Sequence, residues 1–154
     1  KRSAREVQND RLCLWHEAWS EIMTHKNNRL RIARPTNHLN LIAQMYCKGL
    51  DFDVLGYFND HQGFDGVIIG HPQHAYHLEF THHRGTTVPD APTADNLLVF
   101  YIADEAEWRA ACTQMELAGF LVVVSYNPYW DQHGKTFADL DGYRVVLQNT
   151  DWDR

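Results

Sequence analysis

The sequence predicts an α+β fold in which two tandem βαβββ modules pair their sheets into one cup, with an extra helix at the N-terminus. Three observations carry that prediction. The order strand, helix, strand, strand, strand occurs twice, with matching features offset by about 66 to 70 residues, the mark of an internal duplication. Each half alone would leave a sheet face bare, which a second half covers. The stretch from Ala75 to His83 alternates with period two, so Tyr76, Leu78 and Phe80 share an apolar face while His77, Glu79 and Thr81 share the opposite one.

Residues 1–28 are expected to form an N-terminal amphipathic helix and linker. From Val7 to Met23 the residues Leu12, Trp15, Ala18, Trp19 and Ile22 fall at helical spacing, with Asp10 as N-cap. Two tryptophans on one face are too apolar to leave in water, so the helix docks either on its own domain or on a second copy, giving a homodimer. Met23-Thr24-His25 resembles an original start, which would make this helix an upstream extension.

Residues 29–154 hold the duplicated domain, with module one at 29–83, a linker at 84–96 and module two at 97–149. Leu30 to Arg34 reads as a strand ended by Pro35. Thr36 caps a helix to Cys47 that buries Leu39, Ile42, Ala43 and Tyr46, and Gly49 is its expected C-cap. Strands follow at Phe52 to Phe58, Val67 to Gly70 and Ala75 to His83, separated by Asn, Asp, Gly and Pro turns. The linker is rich in Pro, Thr, Gly and Asp. Module two repeats the order. Leu97 to Ile102 is a strand, and Glu105 to Leu117 a helix with Trp108, Ala111, Cys112 and Met115 inward, ended by Gly119. Strands at Leu121 to Tyr126, Lys135 to Ala138 and Tyr143 to Gln148 complete it, the last two joined at Asp141-Gly142.

Composition narrows the function. A chain of 154 residues buries a core without staples. A formal charge of −6 and the lack of a basic stripe disfavour nucleic acid. No apolar run approaches the roughly 20 residues of a membrane span. The three cysteines Cys13, Cys47 and Cys112 are scattered and odd in number, which predicts free thiols and a cytoplasmic protein. The expected partner is a small molecule.

Several local features resemble the vicinal oxygen chelate superfamily, which includes glyoxalase I, the bleomycin and fosfomycin resistance proteins and the extradiol dioxygenases. The first helix ends Gln44-Met45-Tyr46-Cys47-Lys48-Gly49-Leu50-Asp51-Phe52. Module two has Asp104 after its first strand, Ala118-Gly119-Phe120 after its helix, and the turn Asp139-Leu140-Asp141-Gly142 before Tyr143-Arg144. Within the superfamily, Arg31-Ile32-Ala33-Arg34-Pro35-Thr36 and Tyr126-Asn127-Pro128-Tyr129-Trp130 resemble a bacterial subgroup without an assigned activity.

The resemblance implies a metal ion in the cup, held by His or Glu from the first and last strands of each half. Of those positions, Arg31, Leu97 and Val146 carry no ligand and only Glu79 matches. Arginine stays protonated and cannot ligate, so Arg31 is expected to pair with Glu79 across neighbouring strands, and no cofactor is expected. His77, Glu79, Arg31, Tyr101 and Arg144 face the cup by parity, with Tyr129 and Trp130 at its mouth, as candidate ligand-binding residues. The reading is a glyoxalase-like, bleomycin-resistance-like binder of a small molecule. The alternative is a metal-dependent lyase, isomerase or dioxygenase using His77 and Glu79, about 6.6 Å apart along the strand, with a third ligand such as His133. Whether a bound molecule is turned over, with His77 or Glu79 as general base, stays open at this level.

Overall fold

The computed structural model describes residues 28–152. Module one contains β1 (Leu30–Pro35), α1 (Leu39–Gly49), β2 (Asp53–His61), β3 (Phe64–Gly70) and β4 (Tyr76–His83). Module two contains β5 (Leu97–Tyr101), α2 (Glu105–Leu117), β6 (Leu121–Val123), a 3-10 turn at Pro128–Asp131, β7 (Gly134–Ala138) and β8 (Arg144–Gln148). The sheets run β1-β4-β3-β2 and β5-β8-β7-β6, so the duplication is expressed as two copies of one topology. The predicted N-terminal helix lies outside the described residues. Among the described residues no helix is long and apolar enough to cross a membrane.

The alternation of β4 places its side chains as expected. Leu78 and Phe80 are buried, while His77, Glu79 and Thr81 on the other face are half-exposed. Both helices bury the faces that periodicity assigns them, with Ile42, Ala43 and Tyr46 on α1 and Cys112 and Met115 on α2. These join Val67, Ile69, Leu78, Phe80, Phe137, Val145 and Leu147 in one core shared by the two modules. Tyr46 sits at its centre, 4.9 Å from the Phe80 ring and 5.1 Å from the Phe120 ring. Asp104 caps α2 by accepting from the Glu107 N–H at 2.8 Å, and Gly119 ends it with a φ of 96°.

Four local expectations are corrected. The N-cap of α1 is His38, because Thr36 Oγ1 accepts from the His38 N–H at 2.9 Å one step earlier. Gly49 is not a C-cap; it is the last helical residue, and a side chain there would meet Met115 Sδ at 2.8 Å and Phe120 Cε2 at 2.9 Å. Its role is close approach of the two modules. β2 and β3 are longer than the apolar pattern indicates, because a turn with Gln62 at φ 53° and Gly63 at φ 85° joins them directly as a hairpin. β6 is shorter, ending at Val123, because the Ser125 N–H turns to the Asp131 carboxylate instead of a strand partner.

A buried polar network ties the modules. Arg34 and Asp139 are each 5% exposed. Arg34 donates to the Tyr46 hydroxyl at 3.3 Å, which donates in turn to Asp139 Oδ2 at 2.8 Å. The Arg34 guanidinium also lies 4.3 Å from the centre of the Tyr143 ring.

Candidate functional site

Arg31 leaves β1 on the same side as His77 and Glu79 leave β4, the neighbouring strand. Its Nη1 donates to Glu79 Oε2 at 2.8 Å and its Nε donates to His77 Nε2 at 2.8 Å. The pairing expected from strand parity is therefore present, and it is wider than expected because His77 joins it. Since His77 Nε2 accepts, the proton of a neutral ring sits on Nδ1. The Arg31 side chain is 49% exposed and that of Glu79 14%, so this is a surface-rim pair and not a buried one. Such pairs contribute about 0–1 kcal/mol to folding, too little to explain the arrangement by stability alone. Beside them on β3, Ile68 lies opposite Glu79 and Gly70 opposite His77.

The corresponding face of module two differs. Leu97, Val99 and Tyr101 on β5 lie opposite Arg144, Val146 and Gln148 on β8. Val146 is fully buried and Gln148 is 2% exposed. Tyr129 and Trp130, expected at the mouth of the cup, belong to a segment, 125–133, that is tied down against β7 and β8 on this face. The Ser125 and Thr136 hydroxyls are hydrogen-bonded to each other, the Asp131 carboxylate accepts from the Ser125 N–H, and the His133 carbonyl accepts from the Asn149 N–H at 2.7 Å. Gly134 permits the close approach: a Cβ there would lie 2.6 Å from the Trp130 carbonyl oxygen.

The other candidates are dispersed. Tyr129 is 53% exposed and its ring meets Trp130 edge-on at 5.0 Å. Arg144 donates to the Val124 carbonyl at 3.2 Å. Tyr101 turns to Trp152, ring centres 5.1 Å apart. Among the described residues no hydrogen bond, ion pair or ring contact links these groups to Arg31, His77 or Glu79. Nor does any cluster of three or more His, Cys, Asp or Glu side chains occur there in metal-binding array. The residues at the superfamily's metal positions do not fit a divalent ion: Leu97 and Val146 offer no donor atom, and the donors of His77 and Glu79 already face a guanidinium. Sequence reasoning missed Asp51, a non-glycine residue at φ 55° between α1 and β2; the sequence Gly49-Leu50-Asp51 held that signal, since aspartate tolerates the left-handed region.

Comparison with known proteins agrees with this architecture. Residues 30–81 match the YycE-like N-terminal domain and residues 95–149 the YycE-like C-terminal domain. The uncharacterised protein YycE of Bacillus subtilis (strain 168) is 42% identical over 122 residues, which cover 79% of this chain and 88% of YycE. The crystal structure of a Bacillus subtilis YycE protein superposes with a TM-score of 0.76 at 40% identity, covering 83% of this chain and 93% of that one. Glyoxalase I of Leishmania major, at 17% identity, shares the fold with a TM-score of 0.63 over 80% of this chain and 86% of its own. The fosfomycin resistance protein FosX of Mesorhizobium loti shares it at 9% identity with a TM-score of 0.62, over 84% and 95%. With one domain match on each half and most of both chains aligned to YycE, the chain belongs to the YycE-like family, and its fold is the one shared by glyoxalase I and the fosfomycin resistance protein FosX.

Proposed function

We propose that this protein binds a small polar molecule at the cup face of module one without a metal ion, Arg31, His77 and Glu79 forming the recognition wall. The observation that carries the reading is the Arg31 fork, which places a fixed cation where the superfamily would hold an ion. A divalent ion about 4 Å from that guanidinium would be repelled by about 8 kcal/mol at an effective dielectric of 20. A half-exposed guanidinium held by two partners is preorganised to donate to an oxygen acceptor on a ligand. Tyr129, Trp130, Arg144 and Tyr101 are assigned to the rim, where aromatic surface and a second cation extend the contact. The reading includes a cytoplasmic location, consistent with the free thiols of Cys47 and Cys112, and no nucleic-acid or membrane partner.

Two measurements test it. Elemental analysis after incubation with zinc, nickel, manganese and iron is expected to find no stoichiometric metal. Stoichiometric metal that disappears in Glu79→Ala would overturn the metal-free reading in favour of a metal-dependent enzyme. In a calorimetric screen of carboxylates and phosphonates, Arg31→Ala should abolish binding while changing folding stability by less than about 1 kcal/mol. Hits that bind Arg31→Ala unchanged would place the ligand elsewhere.

A further inference from the structure

A pocket of about 250 Å³ opens on the seam between the two modules, on the opposite face of β4 from His77 and Glu79. Module one supplies Phe52 and Tyr76, and module two supplies Phe100. The Phe52 and Phe100 rings are 6.2 Å apart and inclined at 68°; Tyr76 and Phe100 are 6.1 Å apart at 48°. Inclined walls make a box, whereas a flat aromatic ligand needs two near-parallel faces. A compact, rounded group fits such a box. The volume lies below the roughly 300–1,000 Å³ of pockets for drug-sized ligands, which again selects a small occupant.

The charge of the pocket selects its sign. Ring faces are negative and attract cations, most strongly when water is excluded. Asp51 is the only acidic residue in the lining, which contains no Lys or Arg and one histidine, His74, stacked on the Tyr76 ring with centres 5.2 Å apart. Asp51 is held at the rim with φ 55°, and the next residue is fixed by the Phe52 N–H donating to the Cys47 carbonyl at 3.1 Å. The half-buried Tyr76 hydroxyl has no hydrogen-bond partner among the described residues and can meet a polar tail. We propose that this seam pocket binds a methylated ammonium group of the trimethylammonium type, its methyls against Phe52, Tyr76 and Phe100 and Asp51 as counter-ion. The site is independent of the Arg31 wall.

The test is an NMR titration of the full chain with choline and with its uncharged isostere, in which a tert-butyl group replaces trimethylammonium. The choline methyl protons should shift upfield under the ring currents, and the isostere should bind at least about tenfold more weakly. Tyr76→Leu should weaken choline by roughly tenfold. Asp51→Asn, which keeps a residue tolerant of positive φ, should weaken it by about two- to fivefold, as expected of an exposed counter-charge. Equal binding of the isostere, full affinity in Tyr76→Leu, or no choline binding at tens of millimolar would each overturn the proposal. Should Tyr76→Leu fail to fold, the isostere and Asp51→Asn comparisons decide it alone.

Discussion

Asp139→Ala is expected to cost about 3–5 kcal/mol of folding stability, more than other polar substitutions in the described residues. The carboxylate accepts from the Tyr46 hydroxyl at 2.8 Å and from the Asp141 and Tyr143 N–H groups at 2.9 Å each. Truncation leaves those three donors without their acceptor and removes the anion nearest the chain of contacts that begins at buried Arg34. Each buried polar group left unsatisfied costs about 1–3 kcal/mol. Urea unfolding at neutral pH measures the loss; a change under about 1 kcal/mol would show that the network is not what joins the modules. A pH dependence accompanies it. Burial pushes the Asp139 carboxyl above its ordinary value, against the opposing hydrogen bonds from Tyr46 and the backbone. The folded state therefore holds this proton more tightly than the unfolded state. The stability it contributes is fully present below the unfolded pKa of about 4 and is lost as pH rises through the higher folded value. In that window wild type should lose stability relative to Asp139→Asn, which does not titrate.

Gly134→Ala should cost up to about 3 kcal/mol and lift the segment 125–133 from the face it covers. Space, not conformation, sets this cost. The added methyl would meet the Trp130 carbonyl oxygen at 2.6 Å and the Leu147 carbonyl oxygen at 3.1 Å. Backbone atoms cannot rotate away as a flexible side chain would, so either the segment or β8 must move. Hydrogen exchange distinguishes the two: faster exchange at the Asn149 N–H, which bonds the His133 carbonyl, reports release of the segment. Unchanged exchange together with unchanged stability would contradict the account of Gly134 as the point of close approach.

Much of the architecture was legible because it depends on period. Alternation in β4 assigned His77 and Glu79 to one face, and the same parity put Arg31 opposite them, so one half of the site could be read residue by residue. Contacts that depend on which face meets which were not legible. Arg34 shares parity with Ile32 on the helix side, where an apolar pattern has no place for a cation. Its compensation arrives through Tyr46 and Asp139, 93 residues apart in the chain. Tyr101 has the expected parity, but at the end of β5 its ring meets Trp152 and it lines the seam between the modules. The cover over Val146 depends on one glycine and a short aromatic turn at Pro128–Asp131, which carry no periodic signal.

The placement of Arg31 has a consequence in time. Its partner Glu79 lies 48 residues downstream, whereas β2, β3 and β4 pair with their immediate neighbours through turns. Local hairpins form in microseconds, and closing a long loop is the slower event because its entropy must be lost first. β1 is therefore expected to join an already formed β4, with the guanidinium the last of the three groups to arrive. During refolding His77 and Glu79 stand together before their cation does, so divalent ions in the refolding buffer should compete with Arg31 and slow the final phase.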